Sequence, residues 1–240
     1  YKLPNEGIWA KSKFDFFRRQ NIVYLDNAAT TQVPDSVIRA VSQVLRYRGN
    51  PHRGAHTIAE KNEQWLAESR DNVARFLNSS SQEIVFTNNT TDSINLAVDA
   101  IAHNTEKGDE IIIPISEHHS NMLPFEKLLK KGAKLKVVEL KDYKVDFVKL
   151  KKAITKKTKV VAVNHISNVL GSINPVEELG DYLKKNHPNV IYIVDGAQAV
   201  AHMPVDVKKI KCDIYAFSSH KMYGPCGVGV LYISKKMFPM

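Results

Sequence analysis

The sequence has few cysteines, no long apolar run and none of the short motifs that mark several common catalytic chemistries. Its 240 residues include two cysteines, Cys212 and Cys226, which excludes a disulfide-rich scaffold and favours a reducing compartment. No apolar run approaches the roughly 20 residues of a membrane-spanning helix, so we expect no membrane partner. With 43% hydrophobic and 25% charged residues, the chain has the composition of one large globular domain, or of a domain with part of a second.

The missing motifs narrow the chemistry. There is no G-x-S-x-G elbow, so Ser219 and His220 are not an obvious hydrolase pair. Neither H-E-x-x-H nor C-x-x-C occurs, which leaves no recognisable metal site. No glycine-rich phosphate loop follows a strand-like run, so nucleotide binding by such a loop is unsupported.

Positive charge is in excess, and the lysines concentrate in two stretches. The formal net charge is +9, and many lysines lie in residues 127–136 (KLLKKGAKLK) and 149–159 (KLKKAITKKTK). They alternate with apolar residues at amphipathic spacing, which is typical of the solvated face of a helix. The alternative is an acidic partner or a nucleic-acid patch, but no aromatic interleaving or nucleic-acid motif accompanies them. We therefore expect nucleic acid not to be the partner.

Apolar runs alternate with amphipathic segments over most of the chain. Strand-like runs lie at residues 84–87, 110–115, 134–140, 160–164, 190–194, 214–217 and 228–233. Helical segments lie at residues 36–47, 58–77, 91–102, 120–131, 146–153 and 175–185. This alternation predicts an α/β fold, a three-layer α/β/α sandwich with a mixed, mostly parallel seven-stranded sheet. The last two strands are too close in sequence for a crossover helix, so one of them is expected to run antiparallel.

The chain before residue 84 is less regular. Residues 1–20 are basic and carry Trp9 and three phenylalanines, which predicts a short helix that docks on another part of the protein. Residues 22–25 predict a short strand that runs into a polar turn at residues 26–31.

Polar residues follow five of the predicted strands, at the carboxyl ends where sheets of this kind bind ligands. The groups are Thr90 and Thr91 after the first strand, His118 after the second, Asn168 after the fourth, Asp195 and Gln198 after the fifth, and Ser218, His220 and Lys221 after the sixth. A lysine and an aspartate at one sheet edge suit pyridoxal 5'-phosphate (PLP). The lysine amine makes a Schiff base, and the carboxylate holds the pyridine nitrogen protonated. Taken alone, Asp195 also fits an Asx turn, and Lys221 a solvated lysine.

The other groups can be given roles around such a cofactor. Thr90 and Thr91 stand where a helix begins, which fits either simple capping or an anion site at the positive end of the helix dipole. Convergence of Ser218 and His220 would favour the anion site. We expect Gln198 and Asn168 to hydrogen-bond the ring hydroxyl oxygen, and His118 to stack on the ring and exchange protons with substrate.

With these residues in hand, the chain resembles the class V aminotransferase family of fold-type I PLP enzymes, and most closely the SUF-type (SufS-like, group II) cysteine desulfurases. The matching segments extend over nearly the whole chain: YLDNAATTQVP, NPHRGAHT, FTNNTTDSINLAV, SEHHSNMLPF, HISNVLGSINP, VDGAQAVAHMPVDV and DIYAFSSHKMYGPCGVGVLY. The resemblance implies that Lys221 is the Schiff-base lysine, Asp195 the pyridine partner and His118 the stacking histidine. It also implies that Asn168 and Gln198 lie beside the ring and that Thr90, Thr91, Ser218 and His220 hold the phosphate. Substrate contacts are implied for Asn27, Ala28 and His56.

Some features set the chain apart within that resemblance. His119 stands where the NifS/IscS-like group tends to carry a lysine, and with the HRGAHT loop it favours the SUF-type group, which includes selenocysteine lyase-like members. Ser219 replaces a usual glycine and Cys226 a usual threonine. The family continues into a small domain that bears the persulfide-forming cysteine and a carboxylate-binding arginine. We therefore expect residues 1–20 to pack with that domain, and residues 21–240 to be an incomplete PLP-binding large domain, with both chain ends produced by processing or cleavage.

The function implied is conversion of L-cysteine to L-alanine by a homodimer. Sulfur would pass through an enzyme persulfide to a SufE-type acceptor protein for iron-sulfur cluster assembly. We expect Cys212 and Cys226 to be structural, small hydrophobic residues, and hence this chain alone to be inactive. The alternatives are a selenocysteine lyase, another aminotransferase-family enzyme, or a PLP-binding fragment without catalysis. The expected compartment is a plastid-type organelle, apicoplast or chloroplast stroma, if the source is eukaryotic, and the bacterial cytoplasm otherwise. The lysine-rich composition and the non-Met start are the features that suggest the organelle.

Overall fold

The computed structural model describes residues 10–20 and 22–238, and one seven-stranded sheet lies at its centre. The strands of the chain are β1 (Ile84–Thr87), β2 (Glu110–Pro114), β3 (Lys134–Val138), β4 (Leu140–Lys141), β5 (Lys144–Val145), β6 (Thr158–Asn164), β7 (Ile191–Asp195), β8 (Ile214–Ser218) and β9 (Gly229–Ile233). The sheet order is β1-β9-β8-β7-β6-β2-β3, and β4 and β5 form a separate hairpin. Within the described residues, β9 is the one strand of this sheet that runs opposite to the other six. The predicted mixed sheet and its antiparallel last strand are confirmed.

Helices cover both faces of the sheet. They are α1 (Asp15–Arg19), α2 (Asp35–Arg46), α3 (Thr57–Leu77), α4 (Thr90–His103), α5 (Glu126–Leu129), α6 (Phe147–Ala153), α7 (Val176–Asn186) and α8 (Val207–Ile210). One apolar cluster joins the sheet to α4 and α5, and a second joins its other face to α3, α6, α7 and α8. The three-layer architecture is therefore confirmed.

Burial on both faces explains why the central strands are almost wholly apolar. Along β7, Ile191 and Ile193 belong to one cluster, whereas Tyr192 and Val194 belong to the other. Alternate side chains of a strand point to opposite faces, so a strand covered on both sides needs apolar residues at every position. The first polar residue of this run, Asp195, stands at the carboxyl end of the strand.

Three local predictions were wrong. Residues 22–25 form no strand, and Val23 and Leu25 are 80% and 88% exposed, because they pair with no strand of the sheet. The predicted helix at 120–131 is broken into two 3-10 turns and the short α5, since Pro124 has no N–H for a regular helix. The run at 134–140 divides between β3 and the β4–β5 hairpin.

The amino-terminal segment contacts the rest of the chain through aromatic rings and ion pairs. Phe14 packs on Tyr223 with ring centroids 6.0 Å apart. Arg18 pairs with Asp35 at the start of α2, at 2.7 Å. The predicted short helix is α1, whereas Trp9 lies outside the described residues. Docking of residues 1–20 on a further domain stays a prediction.

Many surface lysines have carboxylate partners, as solvated helix and loop positions commonly do. Lys127 pairs with Asp99 at 2.6 Å, and Lys149 with Glu139 at 2.5 Å.

Across residues 10–20 and 22–238, no helix is long and apolar enough to cross a membrane. The same residues contain no cluster of three or more His, Cys, Asp or Glu side chains that could hold a metal ion.

Candidate cofactor site

Polar side chains from several strand ends meet in one cavity of about 590 Å³ at the carboxyl edge of the sheet. Ten of the twelve predicted site residues line it: Ala28, Thr90, Thr91, His118, Asn168, Asp195, Gln198, Ser218, His220 and Lys221. They converge because β1, β2, β6, β7 and β8 run in the same direction and therefore end at the same edge.

The floor of the cavity holds a buried carboxylate. Asp195 is 4% exposed, and its Oδ1 accepts the Ala197 N–H at 2.9 Å, while Ser120 Oγ lies 3.4 Å from Oδ2. Burial raises the pKa of the Asp195 carboxyl, and the opposing effects of the Ala197 N–H and the charge on Lys221 are smaller. A buried carboxylate of this kind is stabilised by a cationic hydrogen-bond donor in the cavity.

A second buried pair supports Asp195 from behind. Gly196 must lack a side chain, because a Cβ there would lie 2.0 Å from the Tyr215 ring. The Tyr215 hydroxyl lies 3.0 Å from His165 Nδ1, and the His165 N–H donates to the Asp195 carbonyl at 2.8 Å. Burial lowers the pKa of His165 to about 4, so this histidine is neutral near pH 7.

One end of the cavity is the amino terminus of α4. Asn89 caps this helix by accepting the Asp92 N–H at 2.8 Å. The Thr90 N–H and hydroxyl both lie 2.7 Å from Ser218 Oγ. Gly229 permits this approach of helix and sheet, since a Cβ at that position would lie 2.6 Å from the Asn89 backbone. A helix amino terminus with clustered hydroxyls is suited to bind an anion.

The turn that carries Lys221 is held by two other segments. The His220 carbonyl accepts the Thr31 N–H at 2.8 Å, and Thr31 Oγ1 accepts the Tyr223 N–H at 2.7 Å. On the far side, the Ser219 hydroxyl donates to the Pro225 carbonyl. The hydrogen bonds of Thr31, in the polar segment at 26–31, thus fix the position of the turn that carries Lys221.

The remaining predicted residues divide between this cavity and other places. Gln198 donates from Nε2 to the Ala28 carbonyl at 2.7 Å. These two residues therefore form one part of the wall of the cofactor cavity. Asn27 instead lines a separate cavity beside Phe14 and Tyr223. His56 is exposed and caps α3, its Nδ1 accepting the Ala59 N–H at 3.4 Å. Of the three residues predicted to contact substrate, Ala28 therefore lines the cofactor cavity of this chain, whereas Asn27 and His56 do not.

Five polar residues that line or support the cavity were not among the predicted site residues: Asp26, Asn89, Glu117, Ser120 and Asn164. Asn164 ends β6 and pairs in register with Asp195, so its place at a strand end was a usable signal. Glu117 is buried, and its carboxylate accepts the Asn164 N–H at 2.7 Å and the Asn121 amide at 2.6 Å. From sequence alone, a glutamate that follows an apolar strand is expected to be solvated, because the N–H donors that it meets in the fold are not known.

Stability will depend on pH through Glu117. Burial raises the pKa of this carboxyl from 4.5 to about 8, against the weaker effect of the Asn121 and Asn164 donors. Because the folded state holds the proton more tightly, the stabilisation is complete below pH 4.5 and is lost as the pH rises through 8. Between pH 5 and pH 8.5 the wild type should lose on the order of 4 kcal/mol of unfolding free energy relative to Glu117→Gln. Urea unfolding of both proteins across this pH range measures the difference.

The matched control for that titration is Glu106→Gln, at an exposed position near the opposite end of the sheet. Its unfolding free energy should follow the wild type at each pH. Parallel curves for wild type and Glu117→Gln would contradict the prediction, and would mean that the N–H donors of Asn121 and Asn164 keep Glu117 ionised when folded.

The two cysteines differ in exposure. Cys212 is buried, and burial raises the pKa of its thiol, as expected of a small hydrophobic residue. Cys226, which was also predicted to be a structural, small hydrophobic residue, is exposed and so does not pack in the core. The turn after Lys221 packs closely between Ser219 and Gly224, since a Cβ added at Gly224 would lie 2.7 Å from the Ser219 Cβ. Cys226, further along this turn, is left on its solvent side.

The residues present fit PLP. Asp195 is a buried carboxylate, and among the described residues the one polar contact of its Oδ2 is the Ser120 hydroxyl at 3.4 Å, which leaves this oxygen suited to a protonated ring nitrogen. The α4 terminus with Ser218 and His220 suits a phosphate, and Lys221 lines the same cavity. A carboxylate, an amine and an anion site therefore lie at separate points around one space.

An α/β/α sandwich with this arrangement defines the PLP-dependent transferase fold, and solved cysteine desulfurases share it. The chain belongs to the class-V aminotransferase family, whose sequence model matches residues 23–239. A protein of Pyrococcus abyssi described as a probable cysteine desulfurase is 48% identical over 223 residues, which cover 91% of this chain and 55% of that protein. The cysteine desulfurase of Serratia proteamaculans is 40% identical over 239 residues, 96% of this chain and 58% of that protein.

Solved structures agree with these relatives. The apo structure of a cysteine desulfurase from Thermococcus onnurineus NA1 matches with a TM-score of 0.91 and 40% identity, over 100% of this chain and 59% of that chain. The Escherichia coli cysteine desulfurase CsdA matches with a TM-score of 0.85 and 33% identity, over 96% and 58%. This chain thus spans little more than half the length of these proteins.

Proposed function

We propose that this chain is the cofactor-binding part of a PLP-dependent cysteine desulfurase, which converts L-cysteine to L-alanine and passes the sulfur to an enzyme persulfide. The observation that carries the proposal is the convergence of Lys221, Asp195, His118 and the α4 terminus on one cavity. The cysteine desulfurases to which the chain is similar support the choice of substrate.

When bound, PLP supplies an aldehyde that reacts with amines and a ring that accepts electrons. The Lys221 amine is the group that would hold the aldehyde carbon and then move the substrate α-proton. Asp195 would keep a proton on the ring nitrogen, and Thr90, Thr91, Ser218 and His220 would hold the phosphate. Burial and the charge on Lys221 lower the pKa of His118, which leaves this ring neutral and able to take or give a proton near pH 7.

Other parts of the reaction are assigned to residues outside these 240. A persulfide-forming cysteine must be exposed, mobile and readily ionised. Cys212 is buried. Cys226 is exposed, but it lies in a turn that is held by the hydrogen bond from the Ser219 hydroxyl to the Pro225 carbonyl. We assign the persulfide-forming cysteine and a carboxylate-binding arginine to a small domain beyond residue 240. Residues 1–20 would pack with that domain, and residues 21–240 would form the large domain.

The finer placement is the SUF-type group, in which the sulfur goes to a SufE-type acceptor for iron-sulfur cluster assembly. His119 and the HRGAHT loop support it. Asn27, Ala28 and His56 would contact substrate in the assembled protein, and a plastid-type organelle or the bacterial cytoplasm would be the compartment.

We also propose a homodimer. Next to the cofactor cavity lies a groove lined by Ile115, Val169 and Leu170, which are 61%, 83% and 41% exposed. Contiguous exposed apolar side chains of this kind mark an interaction surface.

The test of cofactor binding uses this chain directly. We expect the purified chain to turn yellow with added PLP and, after borohydride reduction, to carry the label on the peptide that contains Lys221. Mass spectrometry of the digest locates the label. A folded, colourless chain that stays unlabelled, or a label spread over surface lysines such as Lys208 and Lys235, would refute the proposal.

A further inference from the structure

Ser120 has contacts with both His118 and Asp195, although the proposed function gives it no role. Its backbone N–H donates to His118 Nδ1 at 3.1 Å. Its hydroxyl oxygen lies 2.8 Å from the same nitrogen and 3.4 Å from Asp195 Oδ2. Ser120 is buried, whereas His118 is exposed and lines the cavity.

The backbone contact decides which ring nitrogen carries the proton. A peptide N–H can only donate, so the nitrogen that it faces must be an acceptor. His118 Nδ1 is therefore unprotonated, and the neutral ring carries its proton on Nε2.

The same reasoning orients the hydroxyl. Two unprotonated acceptors 2.8 Å apart would repel each other, so the hydroxyl hydrogen lies between Ser120 Oγ and His118 Nδ1. The hydroxyl has no second hydrogen, and its 3.4 Å contact with Asp195 is left without a donor. Asp195 Oδ2 is thereby kept for a cationic donor in the cavity.

We propose that Ser120 is a positioning residue that holds His118 as the neutral tautomer with its proton on Nε2. The tautomer follows from contacts within the chain alone. The role of this tautomer in catalysis rests on the proposed function. In that function, a fixed tautomer presents one defined proton to a bound substrate.

The charged groups around His118 are Lys221, Asp195 and His119, and Glu117 precedes it with its carboxylate on Asn121 and Asn164. These groups are unchanged by a substitution at Ser120. In Ser120→Ala the ring keeps the backbone donor and loses the shorter hydroxyl contact. The tautomer with its proton on Nε2 should therefore remain the main form, but the pKa of His118 should rise by about half a unit to one unit, because the neutral ring has lost one of its two donors.

Ring-labelled ¹⁵N-histidine and long-range ¹H–¹⁵N spectra measure both quantities, with His118→Gln identifying the signal among the nine histidines. The wild type at pH 8 should show an unprotonated Nδ1 and a protonated Nε2. Ser120→Thr, which keeps the hydroxyl, should preserve this pattern. Ser116→Ala, in the same loop but with its side chain outside these contacts, should preserve it as well.

A proton on Nδ1 in the wild type would overturn the proposal without any variant. So would a Ser120→Ala protein whose His118 pKa matches the wild type, because the hydroxyl would then be bonded to Asp195 instead. These results do not depend on PLP, so they are distinguishable from a failure of the borohydride experiment.

Discussion

Lys221→Ala should abolish the borohydride-stable label and lower alanine formation by at least 10²–10⁴-fold, the usual loss on removing one acid-base group. The loss should be larger if the same amine also holds the cofactor, because two roles vanish together. Lys221 lies in a turn fixed by Thr31 and Ser219, so the fold should survive the change. Labelling is measured on this chain, and alanine and sulfide release on the longer protein proposed above.

Lys208→Ala is the control for that experiment, since Lys208 is an exposed residue of α8. It should label and turn over like the wild type. Normal turnover in Lys221→Ala would show that another amine does the chemistry. A Lys221→Ala protein that carries the borohydride-stable label on a second lysine would also show that another amine can hold the cofactor.

Asp195→Asn should leave the fold intact and weaken PLP binding by about 10²–10⁴-fold, because loss of one partner from a buried ion pair typically costs about 3–5 kcal/mol. Without the cofactor, the variant should be at least as stable as the wild type near pH 7. Burial raises the pKa of Asp195, so the ionised form is the one that folding disfavours, and asparagine removes that cost. Cofactor titration and urea unfolding measure the two effects.

The matched control is Asp181→Asn, at an exposed carboxylate paired with Lys211. Both its PLP affinity and its alanine formation should be unchanged. Equal affinity and turnover in Asp195→Asn and the wild type would mean that another residue serves the ring nitrogen, and that the site has been assigned incorrectly.

The sheet could be predicted from sequence because burial on both faces leaves a strong pattern. Every residue of β7 is buried, and the run ends at a charged side chain on the edge where ligands bind. The same logic located His118 and Lys221, since each follows an apolar run. Strand direction came from connection length alone, because the chain between β8 and β9 is too short for a crossover.

Segments without such a pattern were predicted less well. Residues 22–25 (IVYL) have a strand-like composition, but a strand requires a neighbour, and these residues pair with neither of the edge strands, β1 and β3. Residues 120–131 have amphipathic spacing, but tertiary contacts of Ser120 and the ring of Pro124 interrupt the helix.

The sequence by itself determined the α/β class, the layered architecture and the principal chemical groups of the site, because apolar periodicity and strand-end position are local properties. Only the tertiary structure decided how those groups are supported. The donors around Glu117, the hydroxyl between His118 and Asp195, and the exposure of Cys226 all depend on residues distant in sequence or on the packing of a turn. Burial and hydrogen bonding arise from neighbours in space, so the pKa of a carboxyl and the tautomer of a histidine are set when the chain has folded.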